Sequence, residues 1–258
     1  MLNLHQKEWK EGFNMEYILF FFVGLVGNIV GTLVGGGGLI SLPTMLLMGL
    51  PVHSAIGANK VSNTVSSLTS FLVIFKQKEV TIREAVSVIG FCLSGGILGG
   101  LIASFLSGDT LTIIAILLLS FAFITSFLGR GNFVGTEPLR VNKKTGPALL
   151  GIGMYDGMFG PGSSTLALYL HASQKIAYIR AVGLARIGVF ASCFGASITY
   201  ISTGKIIWPI TLALMLGAIV GAQLGVRLAR KLKNNQVQFL LRLVTVLLIV
   251  QIVVDYLR

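Results

Sequence analysis

Two cations sit where a membrane-spanning chain rarely tolerates charge: Lys60 lies inside the apolar run 54–75 and Arg186 inside the run 178–202. A cation at such depth costs about 2.5–3.5 kcal/mol on insertion scales, so each needs a partner or water. Partners are scarce. Of the nine acidic residues, Glu8, Glu11, Glu16, Glu79, Glu84, Asp109, Glu137 and Asp255 lie at or near the ends of apolar runs, which leaves Asp156 as the only deep carboxylate. One carboxylate does not neutralise two cations, and a bound anion supplies the missing charge. An oxyanion suits the pair, because arginine donates in a planar fork and lysine acts as a point charge. Snorkelling of both side chains to an interface is the structural alternative.

Glycine supplies the second half of the argument. "VGGGG", Val34–Gly38, and "YDGMFGPGSST", Tyr155–Thr165, interrupt apolar runs with the poorest helix formers available. A broken helix leaves free amides at the start of the following half-helix, and that end carries roughly half a positive charge. Such an end attracts anions. Non-helical backbone at mid-membrane survives only where protein or a cavity satisfies it. Gly35, Gly36, Gly37 and Gly38 in the first half and Gly160 and Gly162 in the second are therefore expected to border a substrate cavity. Ser163 and Ser164, with Thr165 and Ser41, add hydroxyl donors. Among the amides Asn28, Asn59 and Asn63, Asn59 is the favoured ligand because it adjoins Lys60.

Asp156 has three open readings: an ion pair with Arg186, proton uptake during transport, or a cap on the half-helix that follows it. His53 and His171 lie near segment ends with no second ligand at metal-binding spacing, so no metal site is expected. Nothing in the chain asks for a cofactor. Cys92 and Cys193 each stand alone in an apolar run and read as small hydrophobes, not a disulfide.

The elements that must position these residues are membrane helices. Of 258 residues 54% are apolar and 11% charged, with mean hydropathy +0.85, a make-up that excludes an ordinary soluble domain. Eight apolar runs near 16–49, 54–75, 85–106, 110–129, 145–171, 178–202, 206–226 and 236–256 approach the roughly 20 residues needed to cross a bilayer. The expected fold is an all-α polytopic membrane protein in which the first and fifth runs are broken helices. Most of the cations behind the net charge of +11 sit in short segments between runs, which signals topology, not nucleic-acid binding. Residues 1–14 read as a polar extension with no cleavage site, so no removed targeting segment is expected.

The polar linker 130–144 divides the chain into two membrane repeats, 15–129 and 145–258. Gly35 falls on Gly160 at an offset of 125, and "GANK", Gly57–Lys60, falls on "GLAR", Gly183–Arg186, at an offset of 126. Ser66 and Ser192 keep that register. Arg130, Arg140, Lys143 and Lys144 make the linker cytoplasmic, and Arg227, Arg230, Lys231 and Lys233 do the same for the last loop. Both loops share a face only if the fifth run dips in and returns. The same treatment of the first run leaves three crossings per half and makes the halves an inverted repeat.

"VGGGGLISLP", "GANK" and "YDGMFGPGSST" together resemble the TauE/SafE family of sulfite exporters over nearly the whole chain. The resemblance implies a bacterial inner-membrane carrier for sulfite, organosulfonates or related small sulfur-containing anions, often acting outward. By motif, Gly35 to Gly38, Asn59, Lys60, Asp156, Gly157, Gly160 and Gly162 fall on its characteristic positions. The second half departs from the pattern, with Leu184, Ala185 and Arg186 where the family commonly shows Asn-Ala-Lys. The expected activity is alternating access around a central anion site, with the lipid bilayer and a small anion as partners and Asp156 as the candidate for proton coupling. An anion channel is the nearest rival and would give non-saturating flux. An intramembrane protease is less favoured, lacking both a second deep Asp and a well-placed deep His.

Overall fold

The computed structural model describes residues 2–35, 37–107, 110, 133, 135, 138–204, 206–233, 235–237, 239–240, 243, 246, 250 and 254; among these, side chains are described from residue 15 onward, except at 39 and 43. The elements are α1 (Leu2–Val34), α2 (Gly38–Leu47), α3 (Val52–Lys76), α4 (Ile82–Phe105), α5 (Thr145–Met158), α6 (Ser163–Ser173), α7 (Tyr178–Ser202) and α8 (Trp208–Ala229). The predicted runs 110–129 and 236–256 lie outside the described residues apart from scattered positions.

Local chemistry explains where these helices begin and end. Thr81 and Glu84 form a capping box at the start of α4, satisfying two otherwise free amides. Proline at position 209 sits in the first turn of α8, where its missing N–H costs nothing. α1 and α5 stop where glycine takes over: Gly35 has φ +83°, Gly160 +103° and Gly162 +83°, a region that side chains with a Cβ avoid. Both predicted breaks are therefore present.

Four described helices are long and apolar enough to cross a membrane: Met15–Val34 within α1, and α4, α7 and α8. α3 has 25 residues but carries five serines, two asparagines and Lys60, so its apolarity is lower. At 1.5 Å per residue, α5 and α6 reach about 21 and 16 Å, each short of a bilayer. The end of α6 comes back to the start of α5, where Gln174 Nε2 donates to Thr145 Oγ1 at 2.9 Å. In the first half, Leu42 and Met45 of α2 share an apolar cluster with Phe20 and Val23 of α1.

Two apolar clusters mark the ends of the bundle. Phe20, Met45, Ile56, Ala103, Met158, Tyr200 and Leu214 belong to one, and Val34, Ile74, Ala85, Leu149, Ala172, Tyr178 and Val226 to the other. α1, α3 and α8 run from the first cluster to the second; α4, α5 and α7 run the opposite way. Lys76, Arg83, Arg140, Lys143, Lys144 and Arg227 all sit in or beside the chain segments at the second cluster's end.

The principal helix pairs are α1 with α8, α4 with α5, α4 with α7, α3 with α8, and α3 with α7. Exchanging α1, α3 and α4 for α5, α7 and α8 leaves this set unchanged. Glycines four residues apart let the backbones close up. A Cβ on Gly217 or Gly221 of α8 would lie 1.8 Å from Phe21 O or 2.1 Å from Leu25 O of α1. On α4, a Cβ at Gly95 or Gly99 would lie 2.3 Å from Leu150 O or 2.0 Å from Met154 O of α5. α7 occupies the centre, with 83% of its apolar window buried against 39–44% for the other three spans. Leu212, Leu216, Val220, Leu224 and Leu228 form an exposed stripe on α8, the face that meets lipid.

A buried ion pair and an unmatched arginine

Lys60 and Arg186 lie on the central helices α3 and α7 and are enclosed by protein, 0% and 3% exposed respectively. Neither snorkels. Lys60 Nζ pairs with Asp156 Oδ1 at 3.4 Å. That same oxygen accepts a bond from Ser163 Oγ at 2.6 Å. The other carboxylate oxygen accepts from Ser192 Oγ and, at 3.3 Å, from Cys193 Sγ. Of the three readings of Asp156, the pair with Arg186 and the helix cap are thus corrected. Its cation is Lys60, and its link to α6 goes to a side chain. The residue preceding α6 is Gly162 in the left-handed region, with no side-chain cap bond. Cys193 also proves to be more than a small hydrophobe.

Among the described residues the hydrogen-bond partners of Arg186 are neutral. Its Nε donates to Ser70 Oγ at 2.8 Å and its Nη2 to Asn28 Oδ1 at 3.3 Å. Asn28 Oδ1 also accepts from Ser66 Oγ at 2.9 Å. Among the described residues no carboxylate lies within ion-pair distance of Arg186. The two sites share one plan. Each cation reaches an acceptor on the broken helix of the opposite half, Asp156 on α5 for Lys60 and Asn28 on α1 for Arg186. Each acceptor also takes the serine of its own half, Ser192 or Ser66. The plans differ in charge, a carboxylate in one and an amide in the other.

The two breaks touch. Thr165 Oγ1 donates to Val34 O at 2.6 Å, and a Cβ on Gly35 would lie 2.1 Å from Thr165 N. Gly38 packs on Pro161, where a Cβ would come within 2.9 Å of its Cα. Tyr155 fixes the second break by donating its hydroxyl to Pro161 O at 2.5 Å. Gly160 faces the ion pair itself: a Cβ there would lie 2.4 Å from Lys60 Nζ. Gly37 packs on Gly27 within the first half, and Gly36 lies outside the described residues. Ser163 and Ser164 are buried. Asn59 donates to Ser41 Oγ at 2.5 Å and accepts from Asn63 Nδ2 at 2.6 Å, so it ties α3 to α2.

A narrow cavity between α4, α5, α6 and α7 reaches Asp156, Ser163 and Ser192 but includes neither Lys60 nor Arg186. Its free space is about 10 Å³, enough for about one water. The predicted cavity holding both cations is not what these walls enclose, because the two breaks and the ion pair close on one another. Four partners escaped the sequence reading: Ser192 and Cys193 on Asp156, Asn28 and Ser70 on Arg186. Asn59, Asn63, Ser66 and Ser70 recur every three or four residues along α3, a polar stripe that would have pointed to an interior face.

Among the described residues the centre thus holds one deep ion pair and, beside it, a deep cation with no carboxylate at ion-pair distance. Known proteins agree with a transport role. The chain is 27% identical over 92% of its length to the "Probable membrane transporter protein ORF9" of a Sinorhizobium species, covering 93% of that protein. It is 26% identical over 81% of its length to a "Probable membrane transporter protein" of Haemophilus influenzae, covering 84% of it. It is 25% identical over 81% of its length to the "Probable membrane transporter protein YfcA" of Escherichia coli K12, covering 79% of it. No solved structure matches the chain. The sulfite exporter TauE/SafE family model matches residues 20–252, and the chain belongs to that family of membrane transporters, which are not enzymes.

Proposed function

We propose that this chain is a secondary transporter that exports a small sulfur-containing oxyanion such as sulfite or an organosulfonate across the bacterial inner membrane by alternating access. The observation that carries the reading is Arg186: a buried guanidinium held by Asn28 and Ser70, both neutral. An anion bound there gains the charge interaction that the protein leaves open. Lys60 joins the site when Asp156 is protonated, because the neutral acid no longer holds the ammonium. One proton then accompanies one anion, and a doubly charged anion such as sulfite brings the two cations and the neutral acid to zero net charge in a medium where net charge is costly. The amides around Gly35 to Gly38, Gly160 and Gly162, with Asn59, Ser163 and Ser164, complete the substrate shell as the breaks separate.

The opposed helix directions and the exchangeable packing pattern support two inverted repeats, 15–129 and 145–258, each opening on a re-entrant broken helix. Their rocking exposes the site to one face at a time. The basic end of the bundle lies in the cytoplasm on this reading. In proteoliposomes, Lys60→Ala or Arg186→Ala is expected to cut labelled sulfite flux more than about tenfold, equivalent to roughly 1.4 kcal/mol. Wild-type flux in both variants overturns the assignment, and flux that never saturates with sulfite replaces the carrier with a channel.

A further inference from the structure

His171 has no role in the site just described, yet it is 0% exposed and both of its ring nitrogens lack a hydrogen-bond partner among the described residues. A buried imidazole left in that state forfeits about 1–3 kcal/mol per unmet polar group. It lines the same narrow cavity as Asp156. Ser163 and His171 stand at the two ends of the α6 portion of that cavity, eight residues and so about 12 Å apart along the helix. The His171 end belongs to the cluster near the basic loops through Ala172 and Leu149, whereas the Ser163 end meets the Lys60–Asp156 pair.

We infer that this passage conducts protons between the basic end of the bundle and Asp156, with His171 as the relay. The inference rests on the proton-coupled reading of Asp156 given above. In the relay, water admitted to the cavity accepts from the N–H of the inner ring nitrogen of His171, and the outer ring nitrogen is the bare one. A proton taken up on the outer nitrogen is released from the inner one to a file of waters, admitted as the closed cavity widens, and passes through Ser163 Oγ or directly to the Asp156 carboxylate, leaving His171 neutral in its other tautomer. No bond other than N–H and O–H forms or breaks. Among the described residues, the titratable groups that face His171 are Cys92 and Glu84 from α4 and Asp156 from α5, with Arg180 of α7 bound to Glu84 at 2.8 Å. Glu84 is already committed to Arg180, Thr81 and the Leu139 amide, so it anchors the outer end and leaves His171 as the movable proton carrier.

Two measurements on the full chain test this. Deuterium exchange at the imidazole C2–H, read by mass spectrometry on purified protein without substrate, is expected to show His171 exchanging with a sigmoidal pH dependence, as a ring in contact with water does. Absence of exchange in the folded protein overturns the passage whatever the substrate is. In proteoliposomes, His171→Gln and His171→Leu are both expected to keep sulfite counterflow at equal pH within about twofold of wild type. Both should lose sulfite-dependent acidification of the lumen, and uphill accumulation driven by a pH gradient, by about tenfold or more. Retained acidification in either variant overturns the relay. Failure of the wild-type protein to move sulfite overturns the anion assignment instead, and the exchange measurement still decides the passage.

Discussion

Asp156 collects four side chains, Lys60, Ser163, Ser192 and Cys193, while Arg186 has serine and an amide. Stability alone does not favour such an arrangement, since well-packed apolar residues commonly replace a buried ion pair at no loss. Removing one partner is different, because it strands a charge. Lys60→Met is therefore expected to destabilise the protein by about 3–5 kcal/mol, and Lys60→Met combined with Asp156→Leu to recover most of that loss. The recovered double variant should still move no sulfite. Thermal unfolding in detergent, followed by size-exclusion recovery, reads the first outcome, and proteoliposome flux reads the second. A double variant as unstable as the single one would mean that the pair holds the fold, and transport would have to be sought elsewhere.

At the scale of elements, the helix pairs α1–α8 and α4–α5 depend on glycines facing backbone carbonyls. Gly221→Val places atoms where a Cβ already lies 2.1 Å from Leu25 O, and backbone cannot yield as a flexible side chain does. The expected cost is about 1–3 kcal/mol or more, seen as lower thermal recovery. Gly90 on α4 meets nothing within 4 Å, so Gly90→Ala should stabilise by roughly 0.5–1 kcal/mol through helix propensity. Equal effects of the two substitutions would deny the close approach. These stripes were legible in Gly95, Gly99, Gly217 and Gly221, four residues apart within each pair, though the denser glycines of the two breaks are the stronger signal. The breaks themselves were legible because glycine and proline interrupt runs that otherwise only a helix explains. The deep placement of Lys60, Arg186 and Asp156 was legible from apolar context. Which cation meets Asp156 was not, since that depends on α3 and α5 crossing between halves, at a separation of 96 residues in sequence. Cys193 was missed for the same reason: a thiol in an apolar run carries no periodic signal, and only the packing of α7 on α5 gives it a partner.

For the whole molecule, the direction of each helix and the gathering of basic residues at one end make a single claim about how the chain sits in the bilayer. Gln77, just past α3, and Thr203, just past α7, are both exposed and lie at opposite ends of the bundle. The two native cysteines are buried, so they contribute little background to labelling. A membrane-impermeant maleimide is expected to label Thr203→Cys in intact cells, and Gln77→Cys only in inside-out vesicles, because the proposed topology puts the loop after α3 among the cations on the cytoplasmic side. The reverse pattern would turn the carrier over and with it the face from which His171 takes protons. Labelling of both from the same side would break the antiparallel relation between α3 and α7, and without that relation Lys60 and Arg186 could not approach the centre from opposite faces of the membrane.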